Sequence, residues 1–175
     1  MKIAGAAALL VQVLLLTGCG DLLTLHALYT KQDQVFDPAM EGHWENEDLL
    51  LAVERLGDEY QVTTYSKKDP EDLSRFEMHL VDIDGVRLAD LLLHDFVGHM
   101  LLRVRLTSDE LHVAFFDSPW LRQQVPHDNA DIEGGRKQAI LTVGTAKLRG
   151  VVAKFAGNSK AYDDETVFRR VKPPR

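Results

Sequence analysis

One cysteine, six prolines and two tryptophans in 175 residues set the first limits on this chain. A single cysteine closes no internal disulfide, so burial has to hold the fold. No run of Lys and Arg marks a helix or strand, and the formal net charge is −7. Nucleic acid is therefore excluded as an expected partner. The longest apolar stretch, residues 3–16, falls short of the ~20 residues that span a bilayer. There is no G-x-S-x-G elbow, no H-E-x-x-H pair and no Gly-rich phosphate loop behind a strand. Serine hydrolases, zinc proteases and nucleotide-binding enzymes thus lose their signatures. No enzymatic activity and no cofactor is expected.

What is present is ordinary for one globular domain: 45% hydrophobic and 27% charged residues. The length suffices for a single core. Seven histidines raise the question of a metal. His94 and His99 are five apart, which suits neither one face of a strand nor an i, i+4 helical pair. His43, His79 and His112 read as strand surface residues, so no metal site is expected. Residues 129–140 imitate a calcium loop, with Asn129, Asp131 and Glu133 as donors and Gly134 sixth. Position twelve is Ile140, where a bidentate carboxylate is needed. A solvated acidic loop is the reading. Ser159 reads as helix-end capping, Asp163-Asp164 as loop, and Lys147, Arg149 and Lys154 as a solvated helix face.

The amino terminus has the order of a secretory signal. Lys2 supplies the positive charge, residues 3–16 the apolar core, and Thr17 and Gly18 the small residues before cleavage. Cys19 follows directly. Leu16-Thr17-Gly18-Cys19 resembles the lipobox of bacterial lipoproteins. The resemblance implies removal of residues 1–18 between Gly18 and Cys19 and acylation of Cys19, which then anchors the protein to membrane lipid. Two or more acyl chains give stable anchoring at about 0.8 kcal/mol per buried CH₂. Cleavage removes Lys2 and no acid, leaving 19 basic and 27 acidic residues, a formal −8. Such a body is repelled by an anionic leaflet, so the anchor has to hold it. Gly20 at the second mature position, in place of Asp, resembles lipoproteins sorted to the outer membrane of Gram-negative cells. Residues 19–34 read as a lipidated tether, partly helical, 35–172 as the folded domain, and 173–175 as a loose tail.

From Phe36 onward, strand-like runs alternate with turn signals. LLLAVERL and EYQVTTY flank Gly57-Asp58, where Gly in the first loop position suits a type II′ turn. That loop pairs Val53 with Val62, Leu51 with Thr64, Arg55 with Tyr60 and Glu54 with Gln61. RFEMHLVDI and VRLADLLL turn at Asp84-Gly85, a type I′ signal, and pair Asp82 with Arg87 and Ile83 with Val86. Both faces there are partly apolar, which calls for a bulge or two-sided burial. MLLRVRL and LHVAFFD surround Ser108-Asp109 and pair Leu106 with Leu111, Val104 with Val113 and Leu102 with Phe115. These six share one apolar face. On the other face Leu101 and Phe116 need a cover. Consecutive tight hairpins predict a mainly β fold, a small antiparallel up-and-down barrel with two short helices.

The first helix is predicted over 119–125, with Ser118 as N-cap, Pro119 at the first helical position and Pro126 as the stop. A polar loop follows over 127–137. QAILTV reads as a strand. Thr145 is the expected cap of a second helix whose stripe is Leu148, Val151, Val152 and Phe155. Residues 165–171 read as the last strand.

Gly42-His43-Trp44 opens the barrel strands. It resembles the Gly-x-Trp of lipocalin-like barrels, whose Trp plugs one end. Many of those barrels also carry a late Arg stacked on that Trp, a role the resemblance gives to Arg169 or Arg170. Phe36-Asp37-Pro38-Ala39 and the Thr145-to-Leu148 helix start resemble a group of bacterial lipoproteins of uncharacterised activity. The expectation from these readings is a membrane-anchored lipoprotein of the cell envelope, acting as a non-catalytic interaction or accessory module with an envelope protein partner. The alternative is a lipocalin-like carrier of a small apolar ligand. Leu51, Val53, Leu102, Val104, Leu106, Leu111, Val113 and Phe115 are the expected inward residues.

Overall fold

The computed structural model describes residues 22–69, 71–93, 98–124, 128–132 and 136–173. Strands β3 (Gly42–Glu45), β4 (Leu49–Leu56), β5 (Glu59–Ser66), β6 (Leu73–Ile83), β7 (Val86–Leu93), β8 (Gly98–Leu106) and β9 (Glu110–Phe115) pair in sequence order. The last strand, β12 (Thr166–Val171), lies between β9 and β3 and closes the circle. All eight neighbours are antiparallel, so the body is a closed up-and-down β-barrel of the expected class. Closure leaves no open edge in this ring.

The three hairpin registers agree with the sequence reading pair for pair. Asp84 and Gly85 both have positive φ, as a type I′ turn requires, whereas Gly57 is positive alone at its turn. Alternation then sorts the barrel into two cores. Trp44, Leu51, Val53, Tyr60, Val62, Met78, Leu80, Leu102, Val104, Leu111 and Phe168 face inward. Val81, Ile83, Leu88, Leu101, Ala114 and Phe116 face outward. Two-sided burial, and not a bulge, explains the apolar second face of the middle hairpin.

The outer core lies beneath two helices, α1 (Ser118–Gln124) and α2 (Thr145–Phe155). Leu121, Leu148 and Val152 cover Leu101 and Phe116, with Tyr162 beside them. Trp120 meets Phe155 edge-on at 4.9 Å, which joins the two helices. Both caps differ from expectation. Asp117, and not Ser118, caps α1 by accepting from Trp120 N. Ser118 is already the first residue of the helix, so the cap position falls to Asp117. Gly144 is the N-cap of α2, Thr145 is its first residue, and no side chain bonds there.

Two further segments depart from the sequence reading. The expected polar loop at 127–137 contains β10 (Asp128–Ile132), which pairs with β11 (Arg136–Leu141). The expected tether is folded. Strand β1 (Leu22–Thr24) pairs with β8 and, in parallel, with β11. The chain then crosses the outer wall as a strap, and β2 (Gln34–Val35) pairs with β6. Leu28 in this strap is fully buried in the outer core. Of the apolar residues spaced for a helix, Leu23 and Leu28 are buried while Leu25 is exposed. The lipobox residues, Gly18 and Cys19 included, lie outside the described residues, as do Pro126, the end of the loose tail and His94.

Candidate functional site

Three neighbourhoods hold the chemistry-bearing residues: a plug at one end of the barrel, the interior behind it, and a polar cluster on the outer wall.

The plug is built by backbone geometry. A 3-10 turn (Pro38–Met40), capped by Asp37, turns the chain into β3. Trp44 Nε1 donates to Met40 O at 3.0 Å, which satisfies the only polar atom of a fully buried ring. The Arg170 guanidinium stacks over that ring, 4.0 Å from its centroid. Its Nη1 donates to Glu41 O and its Nη2 to Ala39 O. Gly42 has φ +132°, and a Cβ there would sit 2.8 Å from Arg170 Nη1. Gly is needed for both reasons. Arg169 is placed differently: it faces outward, mostly exposed, with Nε 3.7 Å from Glu110. Consecutive strand residues point to opposite faces, so only one of the two arginines can reach Trp44.

The same end is tied further by Tyr60. Its hydroxyl donates to Asp37 O at 3.0 Å and accepts from Asp37 N at 2.7 Å. Burial raises the Tyr60 hydroxyl above its ordinary pKa, although the Asp37 backbone bond works the other way. Arg87 bridges Asp37 and Asp82, and Arg55 lies 4.0 Å over Phe36.

The interior is uneven. At the plug, Trp44 and Tyr60 are 0% and 1% exposed. Toward the opposite end, where the 46–48 and 66–72 connections lie, Leu49, Phe76, Leu91, Met100 and Phe115 point inward but are only half-buried. Thr64 shares this inner face and is 5% exposed. Its Oγ1 has no hydrogen-bond partner among the described residues. Native interiors rarely leave a hydroxyl unpaired, because desolvation without a bond costs about 1–3 kcal/mol.

The outer-wall cluster lies under the strap. Asp90 is fully buried and accepts from Leu28 N at 2.6 Å and from His99 Nδ1 at 2.7 Å. His79 stands on the neighbouring strand, opposite Asp90. Contrary to the sequence reading, His79 is not a surface residue: it is 6% exposed. Its ring stacks on Tyr29 at 3.8 Å, its Nδ1 meets Gln34 Nε2 at 3.0 Å, and its Nε2 meets Glu77 Oε1 at 3.0 Å. Glu59 lies close to both Glu77 and His79. Burial, then the carboxylates of Asp90, Glu77 and Glu59, push the Tyr29 hydroxyl upward. The cluster is hidden in the sequence because the strap that packs on His79 carries the pattern of a tether. The available signal was alternation on β6, which puts Glu77, His79 and Val81 on one face.

Other expected surface residues also find partners. Arg149 on α2 is a clamp, with Nη1 on Leu28 O and on Asp33. His112 faces outward between Glu110 and Glu165. Asn129 and Asp131 stand in the β10–β11 ladder, opposite Ala139 and Lys137, so their backbone follows a strand and not a calcium loop. Among the described residues no helix is long and apolar enough to cross a membrane.

Comparison with known proteins gives no match. No family model, no curated protein and no solved structure matches this chain. The reading of function rests on the geometry of the barrel.

Proposed function

We propose that this protein is a lipid-anchored, non-catalytic accessory module of the bacterial cell envelope, and that its binding element is the barrel interior. The Leu16-Thr17-Gly18-Cys19 resemblance supports the anchor, with acylated Cys19 holding membrane lipid. The observation that carries the binding reading is Thr64. A buried hydroxyl without a bond among the described residues, beside a ring of half-buried inward apolar side chains, suits a small apolar ligand with one hydrogen-bonding group. This is the carrier form of a lipocalin-like barrel. Trp44 and Arg170 would close the far end.

A second reading has the barrel as a scaffold that docks an envelope protein through its outer wall. It is favoured by the plug half of the interior, where Trp44 and Tyr60 are fully buried.

Native mass spectrometry of the full chain taken from its own cells separates the two. The carrier reading expects a stoichiometric small molecule that Thr64→Val and Leu91→Glu release. An apo mass, together with a cross-linked envelope protein, overturns it. The anchor has its own test: Cys19→Ala should move the protein from the membrane to the soluble fraction, and continued membrane partition would sink that claim.

A further inference from the structure

We propose that Glu59, Glu77 and His79 form a binding site for a divalent transition-metal ion on the outer wall of the barrel. One ligand atom from each of the three lies within 4.8 Å of the others. Strand geometry produces this arrangement. Glu77 and His79 are two apart on β6, so both project outward. Tyr60 pairs with Met78, which puts Glu59 across from His79 on β5. Two ligands at i and i+2 with a third on the adjacent strand converge on one point above the sheet.

The distances fit a small cation. Zinc takes imidazole nitrogen and carboxylate oxygen at about 2.0–2.2 Å, so tetrahedral ligands stand roughly 3.3–3.6 Å apart. The present His79 Nε2 to Glu77 Oε1 separation is 3.0 Å, the length of a hydrogen bond. Replacing its hydrogen by the cation needs an opening of a few tenths of an ångström. Glu59 already has a carboxylate oxygen within 4.8 Å of both other ligand atoms. Glu59 and Glu77 are half-buried, so the ion has a path in and a solvent position for its fourth ligand.

The surroundings orient the imidazole. Tyr29 stacks on one face and fixes the ring plane. Gln34 contacts Nδ1, the nitrogen away from the proposed ion. A half-turn of its amide presents Oε1 to Nδ1–H, the second contact that metal-bound histidines ordinarily make. Asp90 and His99 pair with each other next door and keep that charge local. One nitrogen and two carboxylate oxygens suit zinc and its neighbours in the first transition row better than calcium, which favours six or more oxygens. The site lies outside the barrel and is independent of the binding proposed for the interior.

Calorimetric titration of the full chain in detergent with zinc alone is the test. One ion should bind per chain, with the single imidazole hydrogen passing from Nε2 to Nδ1, where Gln34 Oε1 accepts it. Glu59→Gln and Glu77→Gln should each weaken binding at least ~10-fold, and His79→Gln should remove it. Nitrogen NMR of the wild-type histidines keeps the test independent of how well the variants fold: zinc should shift His79 Nε2 first among the seven. No zinc uptake by the wild type, or a first shift at another histidine, overturns the proposal.

Discussion

Arg170 lies 4.0 Å over the Trp44 ring, and Gly42 is the residue that lets it approach. Three positions on two paired strands thus depend on one another. Gly42→Ala forces a Cβ into the guanidinium at a positive φ and should cost about 2 kcal/mol or more in urea unfolding. Arg170→Lys loses the planar stack and one of its two carbonyl bonds, and should cost about 1–2 kcal/mol. Arg169→Ala, one residue away, should stay within about 0.5 kcal/mol. Equal losses at 169 and 170 would refute the stacking account.

Asp90 is the buried charge that fastens the strap. Asp90→Leu leaves Leu28 N–H and His99 unpartnered, and should destabilise the fold by about 3 kcal/mol. The loss should be local before it is global. Native-state hydrogen exchange should show the Leu28 amide exchanging faster than the β4–β5 amides, by more than their shared loss of stability explains.

Tyr162 gives a pH signature. Its hydroxyl donates to Ala156 O at 2.9 Å. Burial pushes its pKa up to about 12, with Arg103, 4.3 Å over the ring, acting against it. The unfolded hydroxyl ionises near 10, so the folded state holds the proton longer. The stability this contributes is complete below pH 10 and declines as pH rises toward 12. Ultraviolet titration should find one tyrosine ionising about two units late. Tyr162→Phe should flatten the alkaline fall in stability.

Leu148 is fully buried between α2 and the outer face of the barrel. Leu148→Ala should cost about 2–5 kcal/mol by thermal or chemical unfolding. An effect below 1 kcal/mol would mean that α2 contributes little to the outer core.

The barrel was legible where local rules decide structure. Asp84-Gly85 fixes its hairpin because only the primed turns match strand twist, and alternation fixes which of Leu101 and Leu102 faces inward. Trp44 and a late arginine could be anticipated from their resemblance, although alternation alone chooses between 169 and 170. The strap was not legible. Leu22, Leu23, Leu25 and Leu28 carry a pattern that fits a helix, and the burial of Leu23 and Leu28 is set by β8, β11 and α2, about 70 residues away or more. The same long range hid the β10–β11 hairpin, whose polar sequence reads as loop until β1 supplies a neighbour. Residues of the outer cluster come from the strap and from β5, β6, β7 and β8, so no spacing in the sequence could gather them.

The folded strap also sets a leash. Leu22 already stands in a strand, three residues after Cys19. Fully extended chain spans at most about 3.6 Å per residue, so the folded strap would begin within roughly 11 Å of a lipidated Cys19. If Cys19 is acylated as proposed, a body held so closely would search in two dimensions. Under that proposal, what it meets would itself lie in, or come down to, the headgroup layer.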